Sequence, residues 1–577
     1  MESLTLFESE TERPASVGSG VSRATTVYSV HAYHTKVPVE GIEPFIRQHS
    51  VAGDTVMDPF CGSGMTGLAA LRLGRRPMLS DLSPAAVHIA SNYSRPCNPG
   101  AFDVAVERVI AAVDANPDTL YGTECHGCGQ QATTAYVVWS DIRRCPACAH
   151  EMCVWDQRET GLRQLTCPAC AASFRKGAAS VSGEVAVSVN IDCRTCGRLH
   201  REPTAEDIAK AHTSQDETTD WYPRVPFGAD RAMWRSGHRE LGISEVADFY
   251  SPRNLRALAG LWAAIQEEPD PRLRSALTFT FTAIVNRASR RYQWNAKRPT
   301  NVLGGTLYVS SLRYEFNVFG LWRRKVAAVR RLFKETAGLS PRSDVTQASA
   351  TALPYQSHSI DYCFTDPPFG GNIIYSDCSI LWEAWLGHLT DRSAEAVISH
   401  TGKGLDEYSE LMTASFREVH RVLKPGAAAT VMFQNTDAAV WDALLTSTVE
   451  AGFSMEGVEV LHKRQPSFKG VKAQEEGERV AASDVVLTLR RAARPVARAK
   501  GAGFEPIWDA VSSELKRIDI SKRQRSTGHL YAVAVAAAIN AGIAATGTTF
   551  AALEVWLNEN CEPREDGWHL METHSGV

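Results

Sequence analysis

The chain has 577 residues, more than one compact core accommodates, so at roughly 100–200 residues per domain it divides into several units. With 44% hydrophobic and 22% charged residues it has the composition of a soluble globular protein. That excludes disorder over most of the length and collagen-like or coiled-coil architectures. The net charge of −4, from 61 basic and 65 acidic residues, argues neither for nor against nucleic acid.

Residues 1–25 are rich in Ser, Thr, Gly and Glu and are expected to form a mobile lead-in; the opening MESLTLFESETERP is acidic and polar, unlike a secretion signal. From 26 to about 120 the pattern is α/β. Thr55–Met57 reads as a strand, a Gly-rich turn follows, and Thr66–Leu73 reads as a helix. Pro77–Ser80 is a second strand ending at Asp81, and Ser83-Pro84 opens another helix with Ser as N-cap and Pro in the first turn. Between the first strand and helix lies Asp58-Pro59-Phe60-Cys61-Gly62-Ser63-Gly64-Met65-Thr66. Glycines there let the backbone approach a ligand closely, and Asp81, 19 residues after Gly62, can accept both hydroxyls of a ribose. A bland turn in some other α/β domain is the competing reading, and the strand-end acid weighs toward an adenosine-containing cofactor. The longer dinucleotide fingerprint and a Walker A sequence are both missing, so nicotinamide and ATP fall behind.

Residues 121–200 change character. Four CxxC pairs, Cys125/Cys128, Cys145/Cys148, Cys167/Cys170 and Cys193/Cys196, are separated by 16, 18 and 22 residues. Such spacing signals tetrahedral four-thiolate zinc sites far more than redox dithiols or disulfides. Eight cysteines make two structural Zn2+ sites; sequential pairing is the default, and a nested arrangement suits the central interval equally well. Thiolate zinc implies a reducing compartment, hence a cytoplasmic protein.

Residues 201–340 read as a linker followed by a basic helical region. Between Arg272 and Lys334 there are 14 basic residues against one acidic, Glu315. Within it Arg287, Arg290, Arg291, Tyr292, Trp294, Lys297 and Arg298 are the expected nucleic-acid contacts, because cations neutralise phosphates and aromatic rings stack or wedge between bases. A solvated helical face is the usual reading of a charge run, but this asymmetry exceeds it.

The α/β pattern resumes at 341–495. Ile360–Thr365 is a strand that runs into Asp366-Pro367-Pro368-Phe369. A carboxylate and a proline-fixed carbonyl can accept hydrogen bonds from an exocyclic amine and aim its lone pair, and Phe369 offers a face for a base, worth about 1–3 kcal/mol. A helix is expected over Glu407–Leu423, a strand over Ala427–Phe433, and a closing pair at Val458–His462 and Val485–Leu489. Residues 496–577 read as a helical C-terminal region; its Leu530–Thr546 stretch, broken by Asn540 and Gly542, is a buried helix, since a membrane span needs about 20 strongly apolar residues.

DPFCGSG followed by DPPF resembles the S-adenosylmethionine-dependent amino-methyltransferases of DNA, in particular the zinc-ribbon-containing adenine-specific branch. The resemblance implies an α/β, Rossmann-like class I methyltransferase sheet. Its cofactor half would be 26–120 and its catalytic half 341–495, interrupted by the two-zinc insertion at 121–200 and the basic helical DNA-contacting region at 201–340. It implies S-adenosyl-L-methionine held by Asp58, Pro59, Phe60, Gly62, Gly64, Thr66 and Asp81. His31-Ala32-Tyr33-His34-Thr35-Lys36-Val37-Pro38 resembles the segment that encloses the methionine part, making Lys36 and Pro38 wall residues. In Ser349-Ala350-Thr351-Ala352-Leu353-Pro354, Ser349 stands where the family usually has an acid near the adenine. The implied reaction is methylation of the exocyclic amine of a flipped base in double-stranded DNA, adenine N6 ahead of cytosine N4, in a restriction-modification or phage-defence system with separate subunits and no membrane. RNA base methylation, or an inactive DNA-binding scaffold or specificity subunit, are the alternatives.

Overall fold

The computed structural model describes residues 26–113, 119–159, 163–212, 220–295, 302–339, 343–371, 373–400, 402–462, 483–491, 504–517, 520, 524–541, 543 and 548–571. The expected lead-in at 1–25 lies outside them. In chain order the strands are β1 (Thr55–Asp58), β2 (Arg76–Asp81), β3 (Gly122–Glu124), β4 (Gln131–Arg144), β5 (Glu151–Cys153), β6 (Gln164–Thr166), β7 (Ser173–Arg175), β8 (Ser180–Cys193), β9 (Gly197–Arg201), β10 (Leu312–Phe316), β11 (Asp344–Gln347), β12 (Ile360–Thr365), β13 (Leu423–Phe433), β14 (Phe453–His462), β15 (Ser483–Arg491), β16 (Cys561–Arg564) and β17 (Gly567–Leu570).

The central sheet has the order β11-β2-β1-β12-β13-β15-β14. The first five strands pair in parallel, whereas β15 runs antiparallel to both neighbours. From β1 the chain winds to one side through β2, and from β12 to the other through β13. The β1/β12 boundary is therefore the topological switch point, where open α/β sheets bind ligands beyond the carboxyl ends of their strands. Strand cores such as Val56-Met57 and Tyr362–Phe364 are buried because helices cover both faces. Local signals place the helices: Ser83 caps Pro84–Ser94 by accepting from the Ala86 N–H, and Asp270 caps Pro271–Val285 with Pro271 in its first turn. With β1 and β12 meeting at the centre and the antiparallel β15 inserted between β13 and the edge strand β14, this is a Rossmann-like methyltransferase sheet.

Two cores sandwich the sheet. One joins the helices Val39–His49, Pro84–Ser94 and Pro99–Val113 to Pro252–Gln266, Pro271–Val285 and Val318–Thr336. Much of the basic helical region is thus part of the methyltransferase core, through an apolar face that its charge count conceals. The other core joins Leu405–Val422 and Ala438–Glu450 to the C-terminal helices Glu505–Leu515, Thr527–Asn540 and Phe550–Asn560. Thr527–Asn540 packs its Ala-rich surface on β14 and β15. The C-terminal region is not all helix: β16 and β17 form a hairpin at its end.

The insertion is a second sheet, β10-β4-β8-β9, with β3 and β5 pairing with β4. Its outer strand β10 comes from the segment read as helical, 168 residues beyond the end of β4 in sequence, so the zinc unit and the helical region share one sheet. Among the described residues no helix is long and apolar enough to cross a membrane.

Candidate functional site

The loops after β1 and β12 leave adjacent strand ends and line one cavity. Asp58, at the end of β1, organises it. Its Oδ2 accepts from Thr66 Oγ1 at 2.7 Å, and its Oδ1 accepts from Thr365 Oγ1 at 2.8 Å and the Phe60 N–H at 3.1 Å. Burial pushes the Asp58 carboxyl up to about 6, against the pull of those three hydrogen bonds. Asp81, at the end of β2, is likewise raised to about 6 by burial, and it accepts from the Gly62 N–H at 2.8 Å and the Ser83 N–H at 2.9 Å.

The glycines are there for close approach. Gly62 has φ +49°, and a Cβ on it would sit 2.8 Å from the Tyr33 ring; Gly64 has φ +76°, and a Cβ on it would sit 2.6 Å from Ala90 Cα. The first therefore sets the loop against an aromatic wall, and the second seats the loop on the helix Pro84–Ser94.

The cavity collects Asp58, Pro59, Phe60, Gly62, Thr66, Asp81, Ser349, Lys36, Asp366 and Pro368. Gly64, Pro38, Pro367 and Phe369 are not in its lining. Pro38 instead ends the approach to the helix Val39–His49. The Lys36 ammonium turns away from the cavity, donating to the Tyr28 and His31 carbonyls and to Tyr93 Oη, and burial holds it well below the usual lysine range. Ser349 Oγ lies 2.8 Å from Thr351 Oγ1. Phe369, expected to present a face to a base, is 9% exposed and packs edge-on to Phe433 at 5.5 Å, because its ring completes the second core. Pro368 and Phe369 carbonyls accept from Tyr408 Oη at 2.9 Å and Asn435 Nδ2 at 3.1 Å, which pins the tetrapeptide to the helix Leu405–Val422 and the end of β13.

Several lining residues escape motif reading: Tyr33, Thr35, Tyr375 and Glu395. Tyr33 and Thr35 sit inside the quoted HAYHTKVP segment, so a signal was present. Tyr33 stacks parallel to Trp382 at 6.3 Å, and Thr35 Oγ1 lies 3.5 Å from Tyr375 Oη. Glu395 is fixed by Ser376, which donates from N–H and Oγ; it is distant from any motif and carries no sequence signal.

The basic segment is largely internal. Arg290 pairs with Glu184 at 3.0 Å, and Arg291 donates to Asn286 and the Leu303 and Thr306 carbonyls, with burial lowering it to about 10. Arg313 pairs with Asp141 at 2.7 Å and with Glu184. Lys325 donates to the Ser29 and Val30 carbonyls. Trp294 packs on Trp155 at 4.7 Å, and Tyr292 on Phe316 at 4.9 Å. Arg290, Arg291 and Trp294 therefore serve the fold rather than a free phosphate-binding face, since a desolvated guanidinium must be matched by nearby acceptors. Arg287 is half-buried, and Lys297 and Arg298 lie outside the described residues.

The eight cysteines form two clusters, Cys125/Cys128/Cys193/Cys196 and Cys145/Cys148/Cys167/Cys170, each with its sulfurs within 4.8 Å of one another. The pairing is nested, which overturns the sequential default. The long strands β4 and β8 form a ribbon; the outer pairs meet at one end of it and the inner pairs at the other. Sulfur separations of 3.6–3.8 Å match the roughly 3.8 Å that tetrahedral Zn–S bonds of about 2.3 Å require. The residue after each second cysteine has positive φ: Gly129, Ala149, Ala171 and Gly197. That turn wraps the backbone around the metal position. Both clusters are suited to structural zinc.

Residues 8–92 match a family model described as DNA methylase, of the N6/N4 methyltransferase type. The type II methyltransferase M.MjaII of Methanocaldococcus jannaschii is 34% identical over 62 residues, which is 11% of this chain and 12% of that protein. The chain therefore spans only that 12% of the curated relative it matches. Among solved structures, the [4+2]-cyclase SpnF is 21% identical, covering 30% of this chain and 63% of that one at a TM-score of 0.17. TrmN from Thermus thermophilus is 14% identical, covering 30% and 34% at a TM-score of 0.16. The strand order is that of the Rossmann-like methyltransferase fold. Residues 8–92 are thus similar to a DNA methylase of the N6/N4 type, and the chain carries an insertion with two four-cysteine clusters suited to zinc.

Proposed function

We propose that the chain transfers a methyl group from S-adenosyl-L-methionine to the exocyclic amine of a DNA base, adenine N6 ahead of cytosine N4. The observation that carries this reading is the single cavity shared by the loops after β1 and β12, with Asp58 and Asp81 on one side and Asp366 and Pro368 on the other. Gly62, drawn against Tyr33, leaves a close backbone approach beside the strand-end acid Asp81, which fits an adenosyl group. When bound, the cofactor supplies an electrophilic methyl on a sulfonium.

Asp366 accepts a hydrogen bond from the amine and orients its lone pair, while the fixed Pro368–Phe369 backbone holds the carboxylate in place. Asp58, Gly62 and Asp81 would hold the cofactor, whose methyl would pass to the amine nitrogen with the carbon–sulfur electron pair left on sulfur, and the amine's surplus proton would go to water. Positioning and electrostatics supply most of the rate enhancement. Because the Phe369 ring is in the core, the base is read by Asp366, Pro368 and Tyr375, not by stacking on Phe369. Reaching a base inside a duplex requires flipping it. By resemblance, the activity belongs to a restriction-modification or phage-defence system with separate cleaving subunits.

Nucleoside mass spectrometry of DNA and RNA incubated with protein and cofactor tests this. N6-methyladenine in DNA is the expected product, abolished by Asp366→Ala while cofactor binding persists. No product from either nucleic acid, or full activity in Asp366→Ala, overturns it.

A further inference from the structure

The two faces of the insertion sheet differ, and on the second Val138, Tyr314 and Asn190 are buried while Tyr136, Phe316 and His200 keep exposed surface. Val137 and Trp139 of β4 and Val189 and Ile191 of β8 point to a small core with Ala211. Register puts the alternate residues on the other face: Phe316 opposite Tyr136, Tyr136 opposite Asn190, and Asn190 opposite His200. There the half-buried rings of Tyr136 and Phe316 lie 5.3 Å apart, and Tyr292 closes on Phe316. Arg198, at the same face of β9, is exposed and pairs with Asp192 at 2.8 Å.

Two further arginines bear on this group: Arg324 lies within electrostatic reach of Arg198, Asp192 and Tyr292, and of Arg287 in turn. Arg324 comes from the helix that follows β10, and Arg287 from just beyond the helix Pro271–Val285. Among the described residues neither guanidinium has a hydrogen bond or ion pair. Arg324 is held below the usual arginine range by burial first, and then by the repulsion of Arg198 and Arg287. Arg324 repelled by both Arg198 and Arg287, with Asp192 as the acid beside it and a row of aromatic rings nearby, fits a ligand that brings both negative charge and flat faces.

We propose that this sheet face is a stacking platform for an unpaired nucleic-acid strand, with Tyr136, Phe316 and Tyr292 under the bases and Arg198, Arg287 and Arg324 at the phosphates. Stacking on aromatic side chains is tolerant of sequence, and guanidinium–phosphate contacts make binding salt-dependent. The proposal shares with the reading above a nucleic-acid partner, but its test reads binding and not methyl transfer.

The test is fluorescence anisotropy with the full zinc-loaded chain and a labelled single-stranded DNA, the same sequence as duplex, and the same sequence as RNA. Expected is preference for a single strand over duplex. Arg287→Ala with Arg324→Ala should weaken single-strand binding about tenfold or more and flatten the salt dependence by about 1–2 in log–log slope. Tyr136→Leu should weaken it at least fivefold while Tyr136→Phe retains it. Zinc content and unfolding midpoint identify any variant that fails to fold; Arg287→Lys with Arg324→Lys, which keeps the charges, should then restore binding. Arg417→Ala, an exposed cation on the helix Leu405–Val422, should change nothing. Preference for duplex, unchanged affinity and slope in the double arginine variant, or no binding by the wild-type chain overturns the platform. A chain that binds strands through this face but methylates none would overturn only the enzymatic reading.

Discussion

Thr365 Oγ1 donates to Asp58 Oδ1 at 2.8 Å, joining the last residue of β12 to the last residue of β1 across the switch point. Thr365 immediately precedes Asp366, and Asp58 opens the loop proposed to hold the cofactor, so one hydrogen bond registers the two halves of the proposed site. Both groups are buried, at 1% and 3% exposure. Thr365→Val keeps the shape and removes the donor. It should lower methyl-transfer kcat about tenfold, with cofactor affinity changed less than twofold. The lost bond on a buried carboxylate should also lower stability by about 1–3 kcal/mol. Thr365→Ser should restore kcat. Steady-state kinetics and urea unfolding read these separately, and a Val variant with unchanged kcat would show that the bond only supports the fold.

The raised Asp58 carboxyl makes a signed pH prediction. Its folded value is about 6 against 3.8 for the free side chain, chiefly through burial. Between those values the folded state holds the proton more tightly than the unfolded chain. The stabilising contribution is therefore fully present below about pH 4 and is lost as pH rises through about 6, amounting to about 3 kcal/mol. Asp81, also raised to about 6 by burial, acts in the same direction. Urea unfolding of the wild type and Asp58→Asn from about pH 4 to pH 7 isolates the Asp58 part. The wild type should lose stability relative to the variant as pH rises and level off above about pH 7. A flat difference would place the carboxyl at its ordinary value.

What sequence made legible here are the features whose chemistry is local. Asp58–Thr66 and Asp366–Phe369 are contiguous, and the strands that present them are short apolar runs. Ser83 and Pro84 announce their own helix. The basic segment misleads because its counterions are remote: Arg313 finds Asp141 and Glu184 172 and 129 residues away, and no local pattern records that. Strand β10 is hidden for a related reason, since its partner β4 lies far upstream. Phe369 sits next to the expected amine-binding group, but the core residue Phe433 that claims its ring is a long-range neighbour. Zinc ligand identity is local, whereas ligand pairing depends on how a long ribbon folds.

The zinc knuckles contain correctable strain. Ala149 and Ala171 adopt φ of 60° and 59°, a region where an L side chain is disfavoured by roughly 1–2 kcal/mol. Glycine occupies the equivalent turn at Gly129 and Gly197. After the entropy that glycine adds to the unfolded chain, Ala149→Gly and Ala171→Gly should each stabilise the inner site by about 0.5–1 kcal/mol. Competition against a zinc chelator should show affinity tightened about two- to fivefold at one of the two sites. Unchanged or weaker binding would mean that these turns relax without strain when the metal is bound.

The nested pairing separates cleanly from the sequential one by stoichiometry. Cys128 and Cys196 belong to the outer cluster, so replacing both with Ala damages one site and leaves Cys145/Cys148/Cys167/Cys170 intact. Metal analysis should fall from two zinc equivalents to one. If the pairs were joined in sequence, the same double variant would remove one thiolate from each site and weaken both. Cys148→Ala with Cys167→Ala is the converse: it should also retain one zinc, now at the outer end of the β4–β8 ribbon. The two single-site proteins should differ in what unfolds on chelation. Loss of the outer zinc should free β3 and β9, whereas loss of the inner one should free only β5–β7, because a small metal-closed turn has too little core to fold alone. Hydrogen exchange on the two variants reads this difference, and equal protection loss in both would show that the ribbon melts as one unit.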